Sequence, residues 1–248
     1  MKAALRLGAT AAAAALALGA AGSAYAATPG ATATTTASTA STGKTTAAQA
    51  RLTAAKDLAA SRIQGRLATL HALALAVQDS KYLAPAEQAT LSTQISSDLS
   101  GLTALRTKVS AETTVAAVRS DETAMVDDYR VYLLMAPQAR LTEALAAETD
   151  AASTLQKVYV ALSDLLPKQS GGGTSEQKSE LADLQSQIIA AQAAIGDEVA
   201  AVLAIRPGPD ANSIESALAP ARSAVKTARA DLLKARDDAK ALRGSLKS

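Results

Sequence analysis

The sequence predicts an all-α protein: an elongated helical bundle that ends in a coiled-coil-like antiparallel helical hairpin. Three features favour this fold. Alanine, the best helix former, makes up about a quarter of the 248 residues. Leucine, isoleucine, valine and alanine recur at alternating steps of four and three residues, which is the spacing of one helix face. Proline and glycine cluster in two stretches between these periodic segments, PKQSGGGTS at 167–175 and RPGPDANS at 206–213.

Residues 1–26 have the pattern of a secretory signal peptide. Lys2 and Arg6 precede an uncharged apolar run, and Ala24-Tyr25-Ala26 is a small-x-small cleavage site, so Ala27 is expected to begin the mature protein. The apolar run is shorter than the about 20 residues that a membrane-spanning helix needs. We therefore expect a secreted bacterial protein, extracellular or loosely associated with the cell envelope, with no stable membrane insertion after cleavage.

Cleavage of the signal also removes the excess positive charge. The full chain has a formal charge of +2, and loss of Lys2 and Arg6 leaves basic and acidic residues in equal number. A neutral chain has no overall attraction for nucleic acid, so nucleic acid is not expected as a partner. The absence of cysteine excludes disulfides and a lipid-modified cysteine within this chain.

Residues 27–46 read ATPGATATTTASTASTGKTT and are predicted to form a disordered Ala/Thr-rich tether. This segment contains too little large apolar surface to offset the entropy lost on ordering. The segment that follows, residues 47–166, is predicted to form the helical bundle.

Within the bundle, the periodicity predicts helices over about 47–79, from Pro85 onward, over 121–136 and over 137–166. Pro85 is a favoured first-turn proline with Glu87 behind it, and Asp98 interrupts the apolar stripe of that second helix. Residues 110–120 are expected to form a short helix or a helical turn.

Residues 167–175, PKQSGGGTS, are predicted to be a Gly-rich linker before a helical hairpin over 176–248. Thr174 with Gln177 has the spacing of a capping box, and Asn212 with Glu215 is expected to cap the last helix. The seam of this hairpin is rich in alanine, so each layer buries little apolar area. We expect the hairpin to pack against the first half of the chain or against a second copy.

The sequence lacks the groupings on which most catalytic and metal sites depend. Its single histidine, His71, lies within the first predicted helix, and without cysteine a His/Cys metal site cannot form within one chain. Gly43-Lys44-Thr45 resembles the end of a phosphate-binding loop, and Ser175-x-x-Lys178 has the nucleophile spacing of penicillin-recognising enzymes, but the companion elements of both motifs are missing. We therefore expect no enzyme, no cofactor and no metal.

Four acidic residues lie close together in the sequence: Asp121, Glu122, Asp127 and Asp128. Hard cations take several oxygen ligands, but on a helix Asp121 and Asp128 share a face while Glu122 points elsewhere. Asp127 with Arg130, and Glu122 with Arg119, have the three-residue spacing of helical ion pairs. The pattern is more typical of a solvated charged face than of a metal site.

The most unusual stretch is DDYRVYLLMAPQAR, residues 127–140. A helix over residues 131–136 is apolar on every side and should be buried, and Pro137 is expected to kink or end it. Tyr129 and Tyr132, three residues apart, are expected to face the same way. One interpretation is the centre of a bundle core. The alternative is a groove beside the kink, for a peptide or glycan, lined by Tyr129, Arg130, Tyr132, Pro137 and Arg140.

Together with RLATLHALALAVQDS, LSTQISSDLSGLTALRTKVSAET and the tail ARADLLKARDDAKALRG, the segment YRVYLLMAPQARL resembles a group of exported, uncharacterised bacterial all-helical proteins. The likeness spans most of the chain after the signal. It implies export and a helical, coiled-coil-like bundle, and it supplies no activity and no functional residues.

These observations lead to two functional expectations. The first is a non-enzymatic structural or interaction protein of the bacterial cell envelope or exterior, which presents a helical surface to a protein, a cell-wall component or a second copy of itself. The second is an extracytoplasmic carrier that binds a small apolar or glycan ligand in a kinked bundle near Pro137.

Overall fold

A computed structural model describes residues 36–169 and 171–246, with side chains from residue 45 onward. The predicted signal peptide and its cleavage site lie outside the described residues, as do tether residues 27–35. All regular structure in the described ranges is helical and none is β-strand, which confirms the predicted all-α helical bundle. The helices are α1 Thr36–Gln78, α2 Pro85–Ala111, α3 Val115–Tyr129, α4 Ala136–Leu165, α5 Ser175–Ile195, α6 Glu198–Ala204 and α7 Ala211–Ser245.

The first helix begins earlier than the sequence predicts. α1 starts at Thr36 instead of Ala47, so the expectation of a disordered tether does not hold for residues 36–46. No proline occurs between Pro29 and Pro85, and alanine favours the helix strongly enough to carry it through the threonines. The chain divides into two units, residues 1–44 and 45–248, and the packing described below belongs to the second.

The core of the second unit has two main parts that meet on α4. Large side chains of α1, α2 and α3 form one part, in which Ile63, Leu91 and Met125 are fully buried. α4 supplies Leu145 to the other part, which it shares with α5, α6 and α7. Because α4 packs against all three C-terminal helices, the Gly-rich stretch at 167–175 connects helices inside one unit and does not separate two domains.

The C-terminal helices form the predicted hairpin with an alanine seam. Ala191 of α5 and Ala221, Ala228 and Ala235 of α7 are completely buried. Such small side chains let the helices approach closely but bury little area, and α4 covers the remaining apolar face of the pair. The N-terminal half of the hairpin was predicted to be one helix but consists of two, α5 and α6. The interruption lies at Gly196, whose φ of 40° is a conformation that favours glycine.

Helix starts follow the sequence signals in two cases and depart from them in a third. Glu87 accepts a hydrogen bond from the Ala84 amide at 2.9 Å at the start of α2. Thr174 and Gln177 form the predicted reciprocal capping box of α5, with distances of 2.9 and 3.2 Å. The Asn212 cap is wrong: Asp210 caps α7 by accepting from the amides of Asn212 and Ser213. Aspartate is as good an N-cap as asparagine, and the helix begins one residue after it.

One stretch of the described chain, Ser175–Ala204, is long and apolar enough to cross a membrane by length and composition alone, with a mean hydropathy of 1.3 over an 18-residue window. It comprises α5 and α6. Leu184, Ile188 and Val202 of this stretch are fully buried against the rest of the bundle. A helix that forms part of a folded core satisfies the same criterion.

Candidate ligand-binding cleft at a helix break

The chain breaks sharply between α3 and α4 at Arg130. Its backbone is left-handed, with φ 42° and ψ 39°, and among the described residues it is the one non-glycine with positive φ. The Arg130 amide donates to the Val126 carbonyl and ends α3. A side chain in this conformation costs about 1 kcal/mol or more, so the surrounding contacts must hold it there.

The Arg130 side chain supplies those contacts. Its Nε donates to the Gly208 carbonyl at 2.8 Å, and its Nη2 donates to the Pro209 carbonyl at 2.6 Å and to Asp127 Oδ1 at 2.9 Å. The predicted pairing of Asp127 with Arg130 is therefore confirmed. With 11% of its side chain exposed, Arg130 fastens the helix break to the loop before α7 and is not free to line a groove.

A π-helical turn, Val131–Met135, follows Arg130 and leads directly into α4. The Met135 amide donates to the Arg130 carbonyl and the Ala136 amide to the Val131 carbonyl, five residues back. Pro137 lies in the first turn of α4, directly after the hydrogen-bonded π-turn. The helix therefore does not end at Pro137: α4 continues through it to Leu165, and the break in the chain lies at Arg130.

The break turns the two tyrosines in different directions. The Tyr129 ring packs so closely on Gly101 of α2 that a Cβ at that position would overlap it. Tyr132 is 54% exposed and lies over α1, with its hydroxyl beside Gly65 and the Arg66 guanidinium 5.1 Å from its ring centroid. The expectation that both face the same way is wrong, because a left-handed residue lies between them.

The remaining predicted groove residue, Arg140, belongs to another part of the surface. It is exposed and lines an almost wholly apolar groove of about 240 Å³ between the end of α1 and α4, together with Leu73 and Tyr82. The five residues predicted to share one groove are therefore not brought together. Only Tyr129 lines the cavity at the break.

That cavity is a cleft of about 420 Å³ enclosed by α2, the end of α3, the π-turn, the start of α4 and the loop after α6. We call it the break cleft. Its lining residues are Thr93, Gln94, Ser97, Asp98, Asp128, Tyr129, Leu134, Met135, Gln138, Ile205, Arg206 and Pro207. Its volume falls in the range of small-molecule sites, and its lining includes both polar and apolar residues.

The lining of the cleft carries two carboxylates against one guanidinium. Neither Asp98 nor Asp128 has a hydrogen-bond or ion-pair partner among the residues that the structure describes. Burial raises the pKa of Asp98 to about 6. The pKa of the Tyr129 phenol is also raised, first by burial and then by the charges of Asp128 and Asp98.

Three donor side chains of the cleft are already committed to backbone carbonyls at the end of α6. Gln138 Nε2 donates to the Val202 carbonyl at 2.7 Å, and Gln94 Nε2 donates to the Leu203 carbonyl at 3.2 Å. Arg206 Nη1 donates to the carbonyls of Leu203 and Ile205. Gln94 Oε1, in contrast, is buried and accepts no hydrogen bond. The groups left over in the cleft are therefore mainly acceptors.

Asp98 is the residue of this site that the sequence reasoning missed. The signal was present, since Asp98 interrupts the apolar stripe of α2, but an interruption does not reveal which element lies opposite.

The predicted surroundings of two other acidic residues, Asp121 and Glu122, are wrong. Asp121 is 2% exposed and pairs with Lys108 at 2.5 Å instead of belonging to a solvated face, and Glu122 pairs with Arg62 at 2.6 Å instead of Arg119.

Three of the four acidic residues considered above as a cation site, Asp121, Glu122 and Asp127, lie outside the lining of the break cleft. His71 is exposed on α1 and is not in the lining. Within the described ranges, no three histidine, cysteine or acidic side chains lie close enough together to hold a metal ion. The arrangement is suited to binding, through two acceptor carboxylates, a phenol and an apolar wall.

No protein-family model, no curated protein and no solved structure matches the chain. The function is accordingly inferred from the chemistry of the break cleft and of the helical surface. The resemblance to exported bacterial helical proteins stays a prediction.

Proposed function

We propose that this protein is a non-enzymatic, exported binding protein of the bacterial cell envelope or exterior, and that it carries a small ligand in the break cleft. The observation that carries the proposal is the cleft itself: about 420 Å³ of space lined by the exposed Asp128 and by Asp98, a partly buried carboxylate without a partner among the described residues. Folded proteins rarely leave a partly buried carboxylate without a partner, because burial disfavours its charge. A ligand that supplies the missing partner would account for it.

The geometry of the break supports the same proposal. The left-handed Arg130 and the π-turn are both costly or uncommon, and both occur at the edge of the cleft. Strained residues and π-turns concentrate at sites that bind ligands, where they aim side chains that a regular helix would direct elsewhere. Here Tyr129 packs against Gly101 of α2, and Asp128 lines the same cleft as the loop that follows α6.

The proposal is tested by native mass spectrometry of the protein purified from its own host. A Ser97→Phe variant places a ring in the lining of the cleft, and Ser96→Phe puts the same ring next to it on α2 but outside the lining. We expect the wild type and Ser96→Phe to carry a bound small molecule and Ser97→Phe to lack it. Absence of any ligand from the wild type, or equal retention by both variants, would contradict the proposal.

A second candidate function is the presentation of a helical surface to a protein partner, a cell-wall component or a second copy. An open groove of about 530 Å³ between α4 and α7 supports it, with Leu155 and Leu232 in its lining and Leu233 46% exposed. The Arg229–Glu148 ion pair, at 2.8 Å, lies on the same groove. An apolar floor between charged side chains is the usual form of a site for an amphipathic helix.

The packing of the C-terminal hairpin against α4 favours a partner of a different kind over a second copy of this chain. The alanine seam of the hairpin is already covered inside the chain, so a second copy is not needed to bury it. A pull-down from intact cell envelope and light scattering after size-exclusion chromatography test this function. Leu233→Asp should abolish capture of a partner or self-association, while Leu75→Asp, at a position 62% exposed on α1, should not. If the wild type and both variants are monomers that capture no partner, this second function is contradicted.

A further inference from the structure

We infer that the break cleft is a site for a small organic cation, an alkylammonium whose charged group is held by Asp98, Asp128 and the Tyr129 hydroxyl and whose apolar body lies against Met135, Ile205 and Pro207. This inference rests on the proposed carrier function and specifies the chemical class of its ligand.

The charge balance of the cleft is the first argument. Asp98 and Asp128 face it without partners, whereas Arg206, the one cation in the lining, donates to the Leu203 and Ile205 carbonyls. Those carbonyls lie at the carboxyl end of α6, where the helix dipole concentrates negative charge, so the guanidinium is attracted towards the helix end. An anionic ligand would meet two carboxylates against this one committed cation and would be repelled.

The supply of hydrogen-bonding groups is the second and independent argument. The amide nitrogens of Gln94 and Gln138 donate to carbonyls of α6, so the carboxylates of Asp98 and Asp128 are the acceptors that the lining leaves without a donor. The cleft has few free N–H donors. An alkylammonium group supplies three N–H donors and contains no acceptor of its own. A carboxylate ligand brings none.

The partial burial of Asp98 separates a cation from a neutral ligand. A neutral molecule that displaced water from Asp98 would add to the cost of keeping its charge, whereas an ammonium would offset that cost. The apolar wall then selects against a bare inorganic ion and in favour of an amine with a hydrocarbon body. Met135, Ile205 and Pro207 supply apolar side chains to the lining.

The test compares three probes that share one hydrocarbon body: n-pentylammonium, 1-pentanol and pentanoate. Binding to the full chain is measured at pH 7.5 by isothermal titration calorimetry, and the site is located by amide NMR shifts. We expect n-pentylammonium to bind with a dissociation constant on the order of 0.1–1 mM and to shift Gln94, Asp98 and Tyr129. The alcohol should bind roughly tenfold more weakly and pentanoate not at all.

Substitutions of Asp98 and Asp128 test whether these two carboxylates bind the ammonium group. Asp98→Asn and Asp128→Asn should each weaken n-pentylammonium binding by roughly five- to tenfold. Asp150→Asn, which removes an exposed carboxylate from the α4–α7 groove, should leave binding unchanged. Circular dichroism of each variant confirms that a weakened affinity does not come from unfolding.

The outcomes separate the inference from the function on which it rests. If 1-pentanol or pentanoate binds in the cleft as well as n-pentylammonium, or if both aspartate variants bind it like the wild type, the cation inference is overturned and the carrier function stands. If none of the three probes shifts the cleft residues and the protein purified from its host carries no ligand there, both are overturned.

Discussion

Asp98 is the residue whose environment departs most from the rest of its helix. It lies at a position that would otherwise continue the apolar stripe of α2, partly buried and without a counter-charge among the described side chains. Burial disfavours the charged carboxylate, so the pKa rises to about 6 from its ordinary value of 3.8. In the absence of ligand this residue should therefore reduce the stability of the fold at neutral pH.

The sign of this effect follows from the direction of the pKa shift. Below about pH 4 Asp98 is protonated in both folded and unfolded chains and has no effect. Between pH 4 and 6 the unfolded chain ionises first, and the penalty develops; above pH 6 it is complete. Since Asp98 remains partly solvated, we expect Asp98→Asn to raise the free energy of unfolding by about 1 kcal/mol at pH 8 and by almost nothing at pH 4. Urea unfolding at the two pH values measures the difference, and an equal effect at both would contradict the assignment.

Arg130 provides a second prediction at the scale of one residue, because its backbone and its side chain act in opposite directions. Arg130→Ala removes the hydrogen bonds to Gly208, Pro209 and Asp127 and keeps the left-handed backbone strain. Arg130→Gly removes the same bonds and relieves the strain. We expect both variants to be less stable than the wild type, with the glycine variant about 1 kcal/mol more stable than the alanine variant.

This order is the reverse of the one found inside helices, where alanine is more stable than glycine by about 1 kcal/mol. Chemical denaturation of the two variants decides the matter. If the alanine variant proves the more stable, position 130 is not held in the left-handed conformation in solution.

At the scale of the helices, the alanine seam of α7 is the feature most sensitive to side-chain volume. Ala228 is completely buried where α7 packs within the bundle, while Ala230, two residues away on the same helix, is exposed. Ala228→Leu should force the helices apart and cost about 1–3 kcal/mol, because a close-packed interface has no room for three more carbons. Ala230→Leu should change stability by less than about 0.5 kcal/mol. Thermal unfolding followed by circular dichroism compares the two, and similar melting temperatures would mean that α7 does not pack through Ala228.

The helices themselves were largely predictable from the sequence, because their signals are local. Pro85 and Glu87 mark the start of α2, and Thr174 and Gln177 mark the start of α5, since each signal depends only on neighbouring residues. The break at Arg130 was not predictable in this way. A proline seven residues later is the stronger local signal, and the left-handed backbone is held by the Gly208 and Pro209 carbonyls, which are remote in sequence.

The candidate site was less predictable than the helices for the same reason. Asp98, Asp128 and Arg206 come from three separate parts of the chain, and no periodic pattern connects them. Tyr129 was identified because it lies in an unusual stretch, and the other four predicted groove residues were grouped with it only by their proximity in sequence. What brought the break cleft together is the packing of the loop after α6 against α2 and α3.

At the scale of the whole second unit, α4 connects the N-terminal and C-terminal helices. Leu145 of α4 and Leu218 of α7 are fully buried in the same part of the core, and Leu203 of α6 packs against the part formed by α1, α2 and α3. A bundle connected in this way should unfold as one cooperative unit from residue 45 onward, although a Gly-rich stretch interrupts it at 171–173.

Leu218→Ala tests this cooperativity. The substitution leaves a cavity in α7 and should cost about 2–5 kcal/mol. If the unit is cooperative, the most protected amides of α2 and of α7 should exchange faster by the same factor. The amide of Leu102 is one such amide of α2. Leu233→Ala, on the same helix at a side chain 46% exposed, is the matched control and should leave both helices nearly unchanged. Exchange that quickens in α7 while α2 keeps its full protection would show instead that residues 167–175 join two halves that open independently.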